Sequence, residues 1–131
     1  MYADWYDGPH VMRALTEAAR HDVPVFFNFE HGHHDETLLK LYAPLVSVCQ
    51  ATTDATQSGG DGEATASRLL DAGVETALVT MAEKGCLAAD ARGTYRVNAP
   101  EVGIVDGCAA GATFSAATSS EDWRAGRWRR F

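Results

Sequence analysis

Three short apolar runs, each separated from the next by a helix-like segment, constrain the fold of this 131-residue chain more than any other feature. The runs span residues 23–29, 45–49 and 76–80, and the first is apolar on both faces and rich in β-forming residues. Runs of this kind are typical of strands buried in a parallel sheet. The pattern therefore predicts a three-layer α/β fold, with a mostly parallel sheet packed between helices.

The segments between the runs are predicted to be helices, over residues 9–19, 35–42 and 63–72. Pro9 suits the first turn of the first helix, with Asp7 as its candidate cap. Gly73 is placed to end the third helix. Residues 86–90 and 94–97 flank a short turn and predict a β-hairpin, whereas residues 52–62 are polar and glycine-rich, as in a loop.

The composition is that of a globular protein, with 46% hydrophobic and 22% charged residues. No apolar run approaches the roughly 20 residues of a membrane helix, and residues 1–4 lack the features of a signal peptide. We therefore expect a cytoplasmic protein without a membrane partner. The formal charge of −7 disfavours non-specific nucleic-acid binding. Cys49, Cys86 and Cys108 are widely spaced, which predicts buried or free thiols.

Residues 105–115, with the sequence VDGCAAGATFS, combine a β-like start, a run of very small residues and a segment from Phe114 onward that can open a helix. Backbone amides at the junction of a turn and a helix can hold an anion, typically phosphate. Small side chains would let that anion approach the backbone. Tight packing without any ligand is the alternative for this stretch, and the sequence leaves both open.

This stretch and the residues before it resemble the PfkB/ribokinase family of carbohydrate kinases. That family carries a strand ending in Thr-x-Gly-x-x-Gly, a hairpin, an apolar-Pro segment and then Asp-Thr-x-Gly-Ala-Gly-Asp-x-Phe. The corresponding residues here are Thr80–Gly85, the hairpin, Ala99–Pro100 and Asp106–Phe114. The resemblance implies a partial ribokinase-like domain over residues 1–117, equivalent to about the second half of a family member, followed by a divergent basic and aromatic tail at residues 118–131.

The resemblance implies ATP-dependent phosphoryl transfer to a sugar hydroxyl, with Mg²⁺ as the metal. By position in the motifs, the nucleotide would contact Thr80, Ala82, Gly85 and Asp106. An anion hole of main-chain amides would be formed by Ala109, Ala110, Gly111 and Ala112. Ala82 replaces the first glycine of the nucleotide loop, and it either strains a left-handed turn by about 1 kcal/mol or more or narrows the site.

Two further departures from the family pattern bear on activity. Ala112 stands where the family has its catalytic base, and alanine cannot accept a proton, which typically costs about 10²–10⁴ in rate. In the region of the family's Asn-x-x-Glu pair, Ala51 takes the asparagine position and Asp54 keeps a carboxylate that could hold a Mg²⁺-bound water. The family's acceptor-binding half has no counterpart here, so we expect little turnover from the chain alone.

Two alternatives belong to other functional classes. One is a nucleotide-binding or phosphate-binding regulatory module, completed by a partner chain or by a second copy at an open sheet edge. The other is a metal-dependent enzyme built on His31, His33 and His34, although these residues also suit a simple polar loop. Nucleophilic chemistry has weaker support: Ser115 has no evident partner in the sequence, and a reactive Cys108 would need to be accessible at the start of a helix rather than buried.

Overall fold

The computed structural model describes residues 1–5, 8–53 and 61–124, with the side chains of residues 121–124 excepted. Within these residues the chain forms six strands and four α-helices. The strands are β1 (Tyr2–Asp4), β2 (Phe26–Glu30), β3 (Val48–Thr52), β4 (Thr76–Thr80), β5 (Cys86–Asp90) and β6 (Gly93–Val97). The helices are α1 (Pro9–Arg20), α2 (Glu36–Tyr42), α3 (Gly62–Asp71) and α4 (Ala110–Arg124).

All six strands belong to one sheet, whose spatial order β1-β2-β3-β4-β5-β6 follows the chain. The pairs from β1 to β4 are parallel, while β4–β5 and β5–β6 are antiparallel. The predicted α/β fold, with a mostly parallel sheet and a hairpin, is therefore confirmed. No helix among the described residues combines the length and apolar character needed to cross a membrane.

The chain divides into two compact units, Met1–Pro100 and Glu101–Phe131. The sheet and helices α1 to α3 lie in the first unit, and α4 lies in the second. Right-handed crossovers between neighbouring parallel strands place α1, α2 and α3 on one face of the sheet. The largest fully buried side chains on that face include Leu15, Phe27, Phe29, Tyr42, Leu69, Val79 and Leu87.

Local sequence signals explain where the helices begin and end. Asp35 caps α2, since its Oδ1 accepts hydrogen bonds from the amides of Thr37 at 2.8 Å and Leu38 at 3.2 Å. Asp61 caps α3 in the same way, through the Glu63 amide at 2.9 Å. Gly73 follows α3 with a φ of 111°, a conformation that favours glycine. Helix α1 begins at Pro9 as predicted, but its N-cap is Gly8, and Asp7 lies outside the described residues.

Several predicted boundaries were wrong for identifiable reasons. Strand β2 begins at Phe26 rather than near Val23, since Pro24 has no amide to donate. Strand β3 begins at Val48 rather than Leu45, because residues 43–45 form a 3-10 turn that contains Pro44. Strand β1 was not predicted, and it is only three residues long with a polar end. Helix α4 begins at Ala110, four residues before Phe114.

Candidate functional site

Strands β1 to β4 run parallel, so their carboxyl ends meet at one edge of the sheet. Ligands of open α/β sheets bind beyond this edge. In the first unit this edge carries three features: the loop after β4, a polar cluster after β1 and β2, and a histidine turn after β2. The fourth feature of the predicted site, the bend before α4, belongs to the second unit and is described separately.

The loop Thr80–Gly85, predicted to contact a nucleotide, is a tight turn closed by its own backbone. The amide of Met81 donates to the Gly85 carbonyl at 2.8 Å, and the amide of Lys84 donates to the Met81 carbonyl at 3.0 Å. The Met81 side chain is buried, while residues 82–84 are exposed. The loop therefore presents its outer backbone to solvent from a fixed position at the end of β4.

For Ala82 the sequence left two possibilities, strain in a left-handed turn or a narrower site, and the structure supports the first. Its φ is 49°, so the position adopts the left-handed conformation that costs a residue with a Cβ about 1–2 kcal/mol. Gly85 has a φ of 86°, and a Cβ there would collide with the Val97 carbonyl oxygen. The turn thus keeps a glycine-like conformation at both ends, although only one end retains the glycine.

Two hydroxyls lie side by side where β3 and β4 end. Thr52 Oγ1 is 3.1 Å from Thr80 Oγ1, and the Thr80 hydroxyl also donates to the Ala51 carbonyl at 3.3 Å. Ala51 itself is fully buried in the core, so its side chain does not reach the sheet edge. The sequence reasoning placed weight on Ala51 and overlooked Thr52, while Asp54 lies outside the described residues.

A polar cluster joins the ends of β1 and β2, and the sequence reasoning missed it. Asn28 Nδ2 donates to Asp4 Oδ1 at 2.8 Å and to Glu30 Oε1 at 3.3 Å. Asn28 is only 4% exposed, and its Oδ1 has no hydrogen-bond partner among the described residues. A buried acceptor of this kind usually has a partner. The signal that could have revealed it is an asparagine inside the otherwise apolar run Phe26–Phe29.

The histidine turn is built differently from a metal site. His33 is buried, and its Nε2 lies 3.4 Å from the Thr52 carbonyl oxygen, whereas His31 and His34 are exposed. Burial, together with the neighbouring His34 and Arg68, lowers the pKa of His33 to about 4. Arg68 fixes the turn by donating to the His33 carbonyl and to Glu36 Oε1, each at 2.8 Å. Among the residues that the structure describes, no three His, Cys, Asp or Glu side chains form a metal-binding group.

In the second unit, residues 107–112 form an exposed bend that leads directly into α4; we call them the α4 bend. Ala109 has a φ of 61°, and α4 then runs for 15 residues from Ala110. The Thr113 amide donates to the Ala109 carbonyl at 2.9 Å, which is the first intrahelical bond. The Ala110 amide, one of the predicted anion-hole donors, donates to the Gly107 carbonyl at 3.3 Å and so closes the turn, whereas amides of a first helical turn in general point along the axis. The bend is thus exposed and followed by a helix, as an anion site requires.

The other predicted residues of this unit make local contacts. Asp106 Oδ1 accepts from the Cys108 amide at 2.8 Å, a turn contact that shapes the approach to the bend. The Ser115 hydroxyl donates to the Gly111 carbonyl at 3.0 Å, as is common for serine inside helices. Cys108 is exposed, while Cys49 is buried and Cys86 is partly buried, and all three are free thiols. Burial raises the pKa of the Cys49 thiol above its ordinary range.

The mixed sheet of six strands with its helices is a ribokinase-like α/β fold, which solved structures of kinases share. The family model for pfkB carbohydrate kinases matches residues 11–121. The chain therefore belongs to the pfkB family of carbohydrate kinases. A search of curated protein sequences gives no match.

Three of the solved structures that are similar to this chain are kinases. Aminoimidazole riboside kinase from Salmonella enterica, solved with aminoimidazole riboside and an ATP analogue, is 24% identical, with a TM-score of 0.67 over 86% of this chain and 43% of its own. Ribokinase from Thermotoga maritima is 20% identical, with a TM-score of 0.61 over 79% and 37%. Bacillus subtilis pyridoxal kinase, an ADP complex, is 17% identical, with a TM-score of 0.72 over 92% and 55%.

The chain thus spans 37% to 55% of the length of these three kinases. The family match extends to residue 121, and α4 continues to Arg124, while residues 125–131 lie outside the described part of the chain. The predicted division at residue 117, the nucleotide contacts of Thr80, Ala82, Gly85 and Asp106, and the anion hole at residues 109–112 stay predictions.

Proposed function

We propose that this chain binds the phosphates of ATP as the nucleotide-side part of a sugar kinase, and that alone it transfers phosphate slowly or not at all. The α4 bend is the observation that carries this proposal. Its residues are exposed, Ala109 holds a left-handed conformation, and a 15-residue helix follows at once. A helix N-terminus favours anions through its amides and its dipole. Membership of the pfkB family makes a nucleotide phosphate the expected anion.

The same bend accounts for the expected lack of turnover. A phosphate held by main-chain amides needs no particular side chain, so alanine at positions 109, 110 and 112 is compatible with binding. Phosphoryl transfer also needs a group to accept the proton of the attacking hydroxyl. Ala112 occupies the family's base position and offers no such group, so binding and transfer are separated in this chain.

Magnesium would accompany ATP in this proposal, since it neutralises the charge on the phosphates. Asp4 and Glu30 converge on Asn28, with hydrogen bonds of 2.8 Å and 3.3 Å to one amide nitrogen. Mg²⁺ is usually held by one or two carboxylates together with several waters, and Asp4 and Glu30 suit a hydrated ion at the sheet edge of the first unit. Asp54 is a further candidate contact from the sequence.

Calorimetry and a coupled kinase assay test the proposal together. We expect saturable binding of ATP–Mg²⁺ to the purified chain, and no ADP release above background when a panel of sugars is added. Absence of ATP binding would overturn the binding claim. Robust sugar-dependent ADP release would overturn the claim of slow transfer. Ala112→Asp restores a carboxylate at the family's base position, and its rate of ADP release is the reference for the rate of wild type.

A second candidate is a binding module completed by another chain that supplies the acceptor side. The observation in its favour is β1, which pairs only with β2 among the described residues and so presents an open edge. An open edge is a template for pairing with a further strand. Co-purification from the native source would reveal the completing chain, whereas a stable monomer that acts alone would exclude it.

A further inference from the structure

Strand β6 lies at one edge of the sheet and is open to solvent. Among the described residues it pairs only with β5, and every residue of Gly93–Val97 is exposed. Tyr95 is 61% exposed and Val97 is 64% exposed, so the edge combines open backbone with apolar side chains. An edge of this kind is a template for pairing with a further strand.

The usual protections of an edge strand are absent from β6. Edge strands are blunted by proline, by lysine or by a β-bulge that twists the edge away. Gly93–Val97 contains neither residue type, and it pairs with β5 without a shift in register. Its one charged side chain, Arg96, turns back onto its own chain, with Nη2 3.7 Å from Met81 Sδ. The backbone of β6 is therefore accessible to a partner strand.

The hairpin turn fixes which backbone groups of β6 point outward. Asp90 lies opposite Gly93 across a two-residue turn, and the pair that closes such a turn is hydrogen-bonded. Hydrogen-bonded and non-hydrogen-bonded pairs alternate along an antiparallel ladder, so every second residue from Gly93 onward bonds to β5. The amides and carbonyls of Thr94 and Arg96 consequently point away from β5, with the spacing that an antiparallel partner needs.

We propose that β6 pairs with β6 of a second copy of this chain, antiparallel and centred on Tyr95, so that the two sheets join. A two-fold axis at Tyr95 places this residue opposite its own copy. Thr94 then lies opposite Arg96, and their outward groups form the hydrogen-bonded pairs. The two Tyr95 residues form a non-hydrogen-bonded pair with Cα atoms about 4.5 Å apart, and aromatic pairs at such positions stabilise a sheet. The pairing needs no nucleotide.

Charge and overlap favour this register over its neighbours. Two identical strands can also pair about an axis at Arg96 or at Thr94. An axis at Arg96 places the two guanidinium groups directly opposite each other, and an axis at Thr94 places Arg92 opposite Arg96. Like charges directly opposite are destabilising. The register centred on Tyr95 uses all of β6 and opposes no like charges, so the strand is complementary to itself, as a two-fold interface requires.

The small size of the contact sets its expected strength. Standard interfaces use about 20–30 residues a side, whereas β6 brings five residues and β1, at the other edge of the sheet, brings three. We therefore expect reversible dimerisation with a Kd of about 100 µM. Sedimentation equilibrium without nucleotide, from about 10 µM to about 1 mM protein, should show monomer giving way to dimer. Monomer throughout this range would overturn the inference.

Charge variants at Thr94 test the register, because this exposed residue lies opposite Arg96 of the second copy. Thr94→Lys should raise the Kd about tenfold, since the two-fold axis repeats the like-charge pair. Thr94→Glu is the matched variant and should lower the Kd severalfold. Thr94→Lys combined with Arg96→Glu should restore dimerisation. Circular dichroism establishes that each variant is folded, and a dimer that none of these changes alters would overturn the inference.

Disulfide trapping gives a second readout of the same geometry. In a Cys86→Ser, Cys108→Ser background, Tyr95→Cys should form a linked dimer under a mild oxidant, because a Cα separation of about 4.5 Å suits a disulfide. Val97→Cys is the control, since Val97 is similarly exposed but would lie about 14 Å from its own copy. Equal trapping of the two variants, or trapping of neither, would overturn the pairing centred on Tyr95.

Discussion

The backbone of Gly85 lies directly against that of Val97: a Cβ at Gly85 would collide with the Val97 carbonyl oxygen and lie 2.7 Å from the Ala99 amide nitrogen. Gly85 also has a φ of 86°. The loop Thr80–Gly85 is therefore fixed against the end of β6, and the absence of a side chain at position 85 is what permits this approach.

Gly85→Ala is expected to destabilise the protein by about 3 kcal/mol or more, since it combines left-handed strain with a collision against backbone. Gly93→Ala is the control, because Gly93 also has a positive φ, 149°, but open space around it. It should cost only the strain, about 1–2 kcal/mol. Urea unfolding of both variants measures the difference, and equal losses would contradict the close approach at Gly85.

Ala82→Gly should stabilise the chain by roughly 0.5–1 kcal/mol, because glycine relieves the left-handed strain and loses part of that gain to its greater freedom when unfolded. Ala109→Gly should act in the same direction, since its φ is 61°. Ala88→Gly, in the regular strand β5, should instead destabilise by about 0.5–1 kcal/mol. Denaturant midpoints of the three variants test the signs, and a destabilised Ala82→Gly would refute the strain at that position.

Acid should destabilise the fold through His33. Burial lowers the pKa of this imidazole to about 4 from its ordinary value of 6.5, so below pH 6.5 the unfolded chain binds the proton more readily than the folded chain. The stability that the fold gains from keeping His33 neutral is fully present above pH 6.5, and it is lost as the pH falls toward 4. After allowance for solvent screening, this contribution to the free energy of unfolding amounts to about 2–3 kcal/mol.

The measurement is the free energy of unfolding from pH 7.5 to 4.5 for wild type and His33→Gln. Carboxylates titrate in both proteins, so the difference between the two curves isolates His33. It should shrink as the pH falls through this window. The exposed His10→Gln is the control and should follow wild type, and parallel curves for wild type and His33→Gln would contradict the assignment.

Thiol labelling should distinguish the three cysteines and report on the α4 bend. Cys108 is exposed and should react first, Cys86 more slowly, and buried Cys49 only after unfolding. ATP–Mg²⁺ should slow the labelling of Cys108 severalfold, because Cys108 lies within the bend that is proposed to hold phosphate. Cys108→Ser identifies the fast phase, and a labelling rate that ATP leaves unchanged would contradict phosphate binding at the bend.

The strength of local signals explains which parts of the fold the sequence revealed. Thr76–Thr80 was predicted with its observed bounds, because an apolar β-forming run stands between clear breaks, and the hairpin was within one residue. Strand β1 was missed because three residues with a polar end carry no pattern of their own. Its place depends on pairing with β2, including a contact between Asp4 and Asn28 that is distant in sequence.

The candidate site followed the same division. The positions of the loop at Thr80–Gly85 and of the bend before α4 could be predicted from motifs, because small residues there allow tight turns of the backbone. The left-handed conformations of Ala82 and Ala109 could not be predicted from the sequence, since alanine rarely adopts this conformation. The cluster around Asn28 and the adjacent hydroxyls of Thr52 and Thr80 arise from strand register, which a single sequence does not specify.

Binding of ATP–Mg²⁺ to the purified chain, measured by isothermal titration calorimetry, tests the central claim most directly. The account predicts saturable binding at one site per chain, together with no sugar-dependent release of ADP from the same preparation. A folded chain would contradict the account if it produced no binding heat with ATP at any accessible concentration and if its Cys108 were labelled at the same rate with and without ATP–Mg²⁺.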